Sequence, residues 1–255
     1  MSSTTETSRL TDLLLGHRAM PDGSFLQRLS TRTWQAMLQA QPRTRVFARD
    51  ELLPLDADDR YVYIVIEGCV RQDRFPLGNA ESMPTITRFR GIGQLVGEAK
   101  LIGESKLLYS RSREGRSHVP TRCLSQTVVI PWRARYMNQL LRRQPEVQLA
   151  LLRSLEDRSR CDELVYATVT RPPFERVSRL FTHLADIAGV PDPRTSQHTV
   201  ITGPSQKDMA AALQLSTSTV ENAIRTLRYH GVVEARYRKF LVHDLEALRQ
   251  FATGA

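Results

Sequence analysis

Residues 205–239, SQKDMAAALQLSTSTVENAIRTLRYHGVVEARYRK, carry the strongest structural signal in the chain. They predict two short helices joined by a tight turn and followed by a β-hairpin, which is a winged helix-turn-helix. In the second helix the apolar residues recur at helical spacing and predict one buried stripe: Val220, Ala223, Ile224 and Leu227. Ser216 stands where its hydroxyl can cap the first turn of this helix.

The opposite face of the second predicted helix is polar, as a helix in the DNA major groove requires. Asn222 and Arg225 are the main candidates for base contacts, because asparagine favours adenine and arginine favours guanine. An alternative is a two-helix corner inside a larger helical domain, but the hairpin directly afterwards favours DNA binding. The predicted DNA-binding residues are Ser205, Gln206, Ser216, Thr217, Ser218, Thr219, Glu221, Asn222, Arg225, Arg236, Arg238 and Lys239.

Composition limits the class of protein. A chain of 255 residues has room for two domains and a connector. It contains no apolar run near the roughly 20 residues of a membrane span, and its start lacks the pattern of a signal peptide. The three cysteines, Cys69, Cys123 and Cys161, lack the spacing of metal ligands. We therefore expect a cytoplasmic protein with reduced thiols, no metal and no membrane partner.

The net charge of +9 supports nucleic-acid binding only weakly, because most of the excess lies outside the helix-turn-helix. The N-terminal half instead has many short strand-like segments. YVYIVIEGCV at residues 61–70 predicts two strands with a break at Gly68, and TVVIPW at 127–132 predicts another. Residues 85–103 predict a strand, a glycine-containing turn and a short helix. Together these segments indicate a β-roll or jelly roll.

A long helix is predicted between the two halves. From Pro145 the chain runs without glycine or a further proline as far as Pro172, which predicts a helix of roughly 25 residues. Residues at alternating spacings of four and three predict a dimer seam: Leu151, Leu155, Arg158, Asp162 and Val165. We expect Arg158 of one chain to pair with Asp162 of the other. The alternative is a helix that lies on its own roll.

These segments resemble the family of the cyclic-AMP receptor protein and the fumarate-nitrate regulator, which are bacterial transcription factors. The resemblance extends from about Gly23 onward and is most specific at residues 215–233, LSTSTVENAIRTLRYHGVV. It implies an α+β fold with a cyclic-nucleotide-binding-like β-roll, a long dimerisation helix and a C-terminal winged helix-turn-helix. The corresponding divisions are a flexible tail (1–22), the sensor roll (23–143), the dimerisation helix (144–171) and the DNA-binding domain (172–255).

The resemblance also implies a ligand site. Family members that bind a nucleotide hold its sugar and cyclic phosphate with a Gly-Glu pair and an Arg-Ser pair. The matching residues are Gly97, Glu98, Arg116 and Ser117, and cyclic AMP or another cyclic nucleotide is the candidate ligand. The interval between the two pairs is longer than in the family, and His118 would crowd a phosphate. These departures favour the alternative that the roll binds no ligand.

The family's DNA-reading residues are Arg, Glu and Arg where this chain has Thr217, Ser218 and Asn222, so we expect a different preferred DNA sequence. The predicted function is a homodimeric, sequence-specific transcription regulator and not an enzyme, since no Ser-His-Asp set, P-loop or zinc motif occurs. Double-stranded DNA, a second copy of the chain and RNA polymerase are the candidate partners. Two alternatives remain: a ligand-independent regulator with a vestigial roll, or a roll that controls a protein partner.

Overall fold

The computed structural model describes residues 20–40, 43–55, 60–75, 84, 86–102, 120–195 and 197–254. Residues 1–19 of the predicted N-terminal tail lie outside the described residues. Arg116 and Ser117 of the predicted ligand site also lie outside the described residues.

Two four-stranded antiparallel sheets form the N-terminal roll. One sheet has the spatial order β1 (Arg45–Phe47), β8 (Thr127–Arg133), β3 (Tyr61–Glu67) and β6 (Leu95–Val96). The other has the order β2 (Leu52–Leu53), β7 (Thr121–Cys123), β4 (Val70–Arg74) and β5 (Ile86–Arg90). The predicted strand break is confirmed, since Gly68 separates β3 from β4 at a φ of +95° that favours glycine.

Strand β3 is buried on both faces, and its alternating side chains enter two different apolar clusters. Val62, Ile64 and Ile66 pack towards the helices that cover the roll. Tyr63 and Val65 point to the inside of the roll, where Val70, Val96 and Val129 surround them. The roll therefore has a sandwich-like interior and a second apolar layer beneath its helices.

Four helices accompany the roll: α1 (Thr31–Ala40), α2 (Ala99–Ile102), α3 (Ala134–Arg143) and α4 (Pro145–Tyr166). Helix α4 begins at Pro145 as predicted, with the proline in the first turn, where its missing N–H costs no hydrogen bond. Helix α3 was not predicted, although Met137, Leu140 and Leu141 have helical spacing and pack on the roll. The short loop between α3 and α4 makes them neighbours.

The C-terminal part is the predicted winged helix-turn-helix. Its helices are α5 (Pro173–Ala188), α6 (Gln206–Leu213), α7 (Thr217–Tyr229) and α8 (Leu245–Thr253). Its antiparallel sheet has the order β11 (Val233–Arg236), β12 (Lys239–Val242), β10 (Thr199–Thr202) and β9 (Gly189–Pro191). Helix α5 is the centre of this part, because Val177, Leu180, Phe181 and Leu184 are all fully buried. Asp244 caps α8, and its carboxylate accepts from the N–H of Ala247 at 2.9 Å.

The roll and the C-terminal part share one apolar cluster. Phe89 and Leu124 of the roll belong to the same cluster as the buried residues of α5, α6 and α7. The backbone N–H of Ile92 donates to the carbonyl of Ile187 at 2.8 Å. A Cβ on Gly91 would lie 2.2 Å from that same carbonyl oxygen, so the close approach of roll and α5 requires glycine there.

Candidate DNA-binding face and effector cavity

Helix α7 is positioned by its apolar stripe and its N-terminal cap. The four predicted stripe residues are buried, and Ser216 accepts from the N–H of Thr219 at 3.1 Å. The turn before the helix is completed by Gln214, which has a left-handed backbone with φ of 53°. The remaining predicted residues on the outer side of α7 are exposed: Thr217, Ser218, Glu221, Asn222 and Arg225. Their exposure leaves this face free for contact with DNA.

The start of α7 carries a cluster of hydroxyl groups. The Oγ of Ser216 lies 2.9 Å from the Oγ of Ser218 and 2.7 Å from the Oγ1 of Thr219. Helix N-termini attract anions, because their first N–H groups have no partner within the helix and their dipole ends are positive. A DNA phosphate suits this end of α7, with the hydroxyl groups as additional donors.

Two side chains one turn further along α7 lie together. The Nη1 of Arg225 donates to the Oδ1 of Asn222 at 3.2 Å, and both side chains are exposed. A guanidinium and an amide side by side can present several donors to one or two base edges.

The wing is basic at its tip, with one cation already paired. Arg236 donates through Nε and Nη2 to both carboxylate oxygens of Glu234 at 2.9 Å. These hydrogen bonds lower the pKa of the Glu234 carboxyl below its usual value. Arg238 lies in the turn with φ of 59°, and its guanidinium is 5.0 Å from the ring centroid of the exposed Tyr237. Of the predicted basic tip, Arg238 and Lys239 have no carboxylate partner among the described residues.

Tyr237 and Tyr229 were not predicted to bind DNA, yet at 83% and 88% they are the most exposed large hydrophobic side chains among the described residues. Tyr237 stands between two arginines at the wing tip, and this alternation of basic and aromatic residues was the available signal. Tyrosine can stack on a sugar or donate to a phosphate, so both residues extend the candidate DNA surface.

Ser205 is the N-cap of α6, and Gln206 is the first residue of that helix. Ser205 forms a capping box with Asp208: its hydroxyl accepts from the N–H of Asp208, and its own N–H donates to the Asp208 carboxylate at 2.8 Å. The Nη1 of Arg71 on β4 also donates to Asp208 at 2.7 Å. The start of α6 is thus held by the roll, and a role of Ser205 and Gln206 in DNA binding stays a prediction.

A cavity lies between the roll and α4, and it brings two separately predicted sites together. Gly97 and Glu98 of the predicted ligand site form part of its wall, opposite Arg158 and Asp162 of the predicted dimer seam. The Nη2 of Arg158 donates to the Oε1 of Glu98 at 2.5 Å. Burial raises the pKa of the Glu98 carboxyl, but the Arg158 cation outweighs that effect, so the pKa lies below its usual value.

Asp162 is also engaged within its own chain. Its two carboxylate oxygens accept from Nη1 and Nη2 of Arg90 at 2.9 and 2.6 Å. The Nε of Arg88 lies 3.6 Å from the same carboxylate. The predicted pair between Arg158 of one chain and Asp162 of the other stays a prediction, and it requires both side chains to leave these partners.

The predicted seam faces its own chain in this structure. Leu151 packs in the apolar layer beneath the roll, and Val165 packs in the cluster shared with α5. Leu155 is partly buried against the roll. The large apolar side chains that α4 leaves exposed are different ones: Leu149, Leu152 and Leu164.

A buried aromatic and polar group connects the end of α4 to α5. The hydroxyl of Tyr166 accepts from the N–H of Phe89 at 3.2 Å, and its ring contacts that of His183 edge-on. The Nδ1 of His183 lies 3.2 Å from the Sγ of Cys161. Burial, assisted by the charge of Arg90, lowers the pKa of His183 to about 4. Burial likewise raises the pKa of the Cys161 thiol to about 11, so both groups are neutral near pH 7.

The described residues contain no group of three or more His, Cys, Asp or Glu side chains placed to bind a metal ion. Within the same residues, every helix is too short or too polar to cross a lipid bilayer.

Comparison with known proteins agrees with this architecture. Residues 175–251 match the family model of the Crp-like helix-turn-helix domain. No curated protein matches the chain in sequence. Among solved structures, a CRP-family transcriptional regulator from Thermus thermophilus is 25% identical with a TM-score of 0.61, over 83% of this chain and 97% of that one.

Two further structures have the same fold at lower identity. A CRP/FNR-family transcriptional regulator, also from Thermus thermophilus, is 20% identical, with a TM-score of 0.58 over 83% of this chain and 98% of that one. A protein from Ruegeria pomeroyi that is proposed to bind cyclic nucleotides is 20% identical, with a TM-score of 0.62 over 92% of this chain and 96% of that one. The resemblance found in the sequence is therefore confirmed. Residues 175–251 form a Crp-like helix-turn-helix domain, and the chain as a whole has the fold of CRP-family transcription regulators.

Proposed function

We propose that this regulator acts as a homodimer, binds a specific DNA sequence through α7, and adjusts that binding to a ligand in the cavity between the roll and α4. The observation that carries the proposal is the exposed polar face of α7 above a fully packed apolar stripe. Asn222 and Arg225 lie together on that face with no other described partner, so they are available to bases. The hydroxyl cluster at the start of the helix suits the adjacent phosphate.

Dimerisation through α4 is supported by its exposed leucines. Three apolar side chains are exposed in the single chain: Leu149 (45%), Leu152 (57%) and Leu164 (61%). Each of them could bury its apolar area against a partner. Leu149 and Leu152 are three residues apart, so they lie on one side of the helix. Pairing of this side with a second copy would place two α7 helices for successive major grooves.

Selection of DNA from a random pool tests sequence-specific binding. We expect an enriched sequence with two related half-sites whose centres are about 10 base pairs, or one turn of DNA, apart. Protein that retains its fold but enriches no sequence would contradict the proposal. It would instead favour the alternative in which the winged domain serves as a scaffold for a protein partner.

Sedimentation of a matched pair of variants tests the dimer. Leu152→Glu places a charge on the exposed side of α4, and we expect it to shift the protein to monomers and to weaken binding to the two-part DNA site. Val46→Glu, at an exposed position on β1, is the control and should leave the assembly unchanged. An unchanged dimer in the Leu152→Glu variant would exclude this side of α4 as the interface.

The ligand-independent alternative has one observation in its favour. Arg158 already neutralises the charge of Glu98 through its Oε1, so the cavity contains an ion pair without a nucleotide, although Oε2 of Glu98 has no hydrogen-bond partner among the described residues. Calorimetric titration with cyclic AMP and cyclic GMP, with Arg116→Ala as the control, separates the two forms of the proposal. Binding that is lost in the variant supports a cyclic-nucleotide sensor. Absence of heat from protein that still binds selected DNA supports a regulator that does not respond to these nucleotides.

A further inference from the structure

The cavity wall has an unusual concentration of arginine on one face of a sheet. In the antiparallel pair of β4 and β5, Arg74 lies opposite Ile86, and Gln72 lies opposite Arg88. Because alternate residues of a strand share a face, the side chains of Arg74, Arg88 and Arg90 all lie on the same face. Arg74 and Arg90 line both this cavity and a second one that adjoins it, and Arg88 lines the second, so all three face α4 across one continuous space.

These arginines have fewer carboxylate partners than they have charges. Asp162 is the only described carboxylate in ion-pair contact with Arg88 or Arg90, and Arg74 has none among the described residues. Arg90 is only 5% exposed, and its Nε is buried without a hydrogen-bond partner among the described residues. Burial lowers the pKa of Arg88, and the neighbouring Arg90 and Arg74 cations lower it further. The cluster therefore has unsatisfied positive charge in a partly dehydrated place.

The rest of the cavity does not cancel this charge. Glu98 is already paired with Arg158, and Lys100 donates to the carbonyl of Tyr61 at 3.3 Å. Among the described residues, the charged side chains that line this cavity and the one adjoining it are Arg74, Arg88, Arg90, Lys100 and Arg158 on the positive side, and Glu98, Asp162 and Glu163 on the negative side. Positive groups are in excess among the described residues that line this space.

We propose that this cavity binds a small anion with at least two negative charges through Arg74, Arg88 and Arg90, and that Asp162 occupies the anion's place when the cavity is empty. The proposal rests on the regulator function and names the ligand class of its sensor. Planar guanidinium groups bind phosphate and carboxylate oxygens in the same paired geometry, so the ligand's anionic groups can be of either kind. Arg90 already binds the carboxylate of Asp162 through two hydrogen bonds, and we expect it to bind an anionic group of the ligand in the same way.

The contacts around Asp162 connect this site to the DNA-binding part. Asp162 belongs to α4, while the guanidinium of Arg88 lies over the ring of Tyr166 at 4.1 Å. Tyr166 in turn contacts His183 on α5, the central helix of the DNA-binding part. An anion that displaces Asp162 frees the end of α4 from β5 and changes the packing of Tyr166 on α5. DNA affinity should therefore depend on the anion.

Calorimetric titration at constant ionic strength tests the site, with inorganic pyrophosphate and citrate as the two probes. We expect saturable binding of at least one of them, and the better probe distinguishes phosphate from carboxylate chemistry. Arg88→Gln should weaken that binding at least about tenfold, the effect of one charge-assisted hydrogen bond. Arg74→Gln, at an exposed position that does not threaten the fold, should also weaken it.

Asp162→Asn provides the sharper test, because it should strengthen anion binding about tenfold by removing the internal competitor. Its control is Glu156→Gln, which removes the same charge from an exposed pair with Arg160 on the same helix and should leave anion affinity unchanged. Equal affinities of Asp162→Asn, Glu156→Gln and the wild type would overturn the proposal, as would wild-type binding in Arg88→Gln. Affinity for the selected DNA, measured with and without the probe, reports separately on the regulator function.

Discussion

The recognition face of α7 and the charged cluster around Asp162 use similar groups in opposite settings. Arg225 is exposed and makes one long hydrogen bond to its neighbour Asn222. Arg90 is buried and shares two short hydrogen bonds with Asp162, a residue 72 positions away. On α7, water can replace any lost contact, so a side chain can change with little cost to folding. Around Asp162, the loss of one partner leaves a charge in a place that water reaches poorly.

This difference explains at which positions the side chains can differ from those of the family that the chain resembles. Thr217, Ser218 and Asn222 stand where the family has other residues, and all three are exposed on a helix whose packing lies on the opposite side. DNA preference can therefore change without a change in the core. The cluster at Asp162 instead joins β5 to α4, so we expect substitutions there to affect stability and the proposed anion binding together.

The largest expected effect separates the two regions directly. Asp162→Ala leaves Arg90 buried without its carboxylate, and we expect it to lower the free energy of unfolding by about 3–5 kcal/mol. Urea denaturation measures the loss. Glu221→Ala on the exposed face of α7 is the matched control and should change stability by less than about 0.5 kcal/mol. Similar losses in both variants would show that burial does not distinguish the regions.

The pH dependence of stability sharpens the contrast further. The pKa of His183 is about 4 in the folded protein and near its ordinary value of 6.5 in the unfolded chain. Between these values the unfolded state binds the proton more readily, so stability falls as pH decreases from about 6.5 to 4. The expected loss from this residue is about 3 kcal/mol. His183→Met should remove that part of the dependence in denaturation series, whereas His230→Gln, at an exposed position of the DNA-binding part, should retain it.

On the recognition face the expected effect is on binding alone. Asn222→Ala and Arg225→Ala should each weaken binding to the selected DNA by about 1–3 kcal/mol and relax the preference at one base position. The free energy of unfolding of both variants should equal that of the wild type, because both side chains are exposed. Fluorescence anisotropy with matched and mismatched duplexes measures the change. Wild-type affinity and selectivity in both variants would exclude the proposed readout.

The smallest expected effect concerns the turn before α7. Gln214 has φ of 53°, a conformation that is unfavourable for residues other than glycine. Gln214→Gly should raise stability by about 0.5 kcal/mol, since relief of this strain exceeds the added entropy of the unfolded chain. Ala211→Gly, inside α6, is the opposing control and should lower stability by about 1 kcal/mol. Thermal denaturation of the two variants should shift in opposite directions.

Features that depend on neighbouring residues were predictable from the sequence. The stripe of α7, the cap at Ser216 and the start of α4 at Pro145 each follow from a pattern within a few positions. The break at Gly68 is local in the same sense. The fold class followed from these elements together with the family resemblance.

The partners of the charged residues were not predictable, because they lie far apart in the chain. Arg158 and Asp162 are one helical turn apart, which suggested one common interface, but Arg158 contacts Glu98 in the turn before α2 and Asp162 contacts Arg90 on β5. Arg88 and Arg90 alternate with Thr87 and Phe89, and such alternation is typical of a strand with one exposed face. Arg90 is buried nevertheless, because α4 covers that face and supplies a carboxylate. Only the tertiary arrangement identifies it.

The tight approach of Gly91 to the carbonyl of Ile187 has a consequence for how such a regulator can be divided or recombined. The cluster that fills the DNA-binding part also includes Phe89 and Leu124, so a fragment that begins at residue 172 would expose apolar side chains that the roll now covers. A grafted domain from another regulator would have to match both this surface and the backbone contact of Ile92. Exchange of whole sensors between such proteins is therefore constrained by this contact surface, which also includes Cys69 and the ion pair of Arg71 with Asp208, while the exposed face of α7 lies outside it.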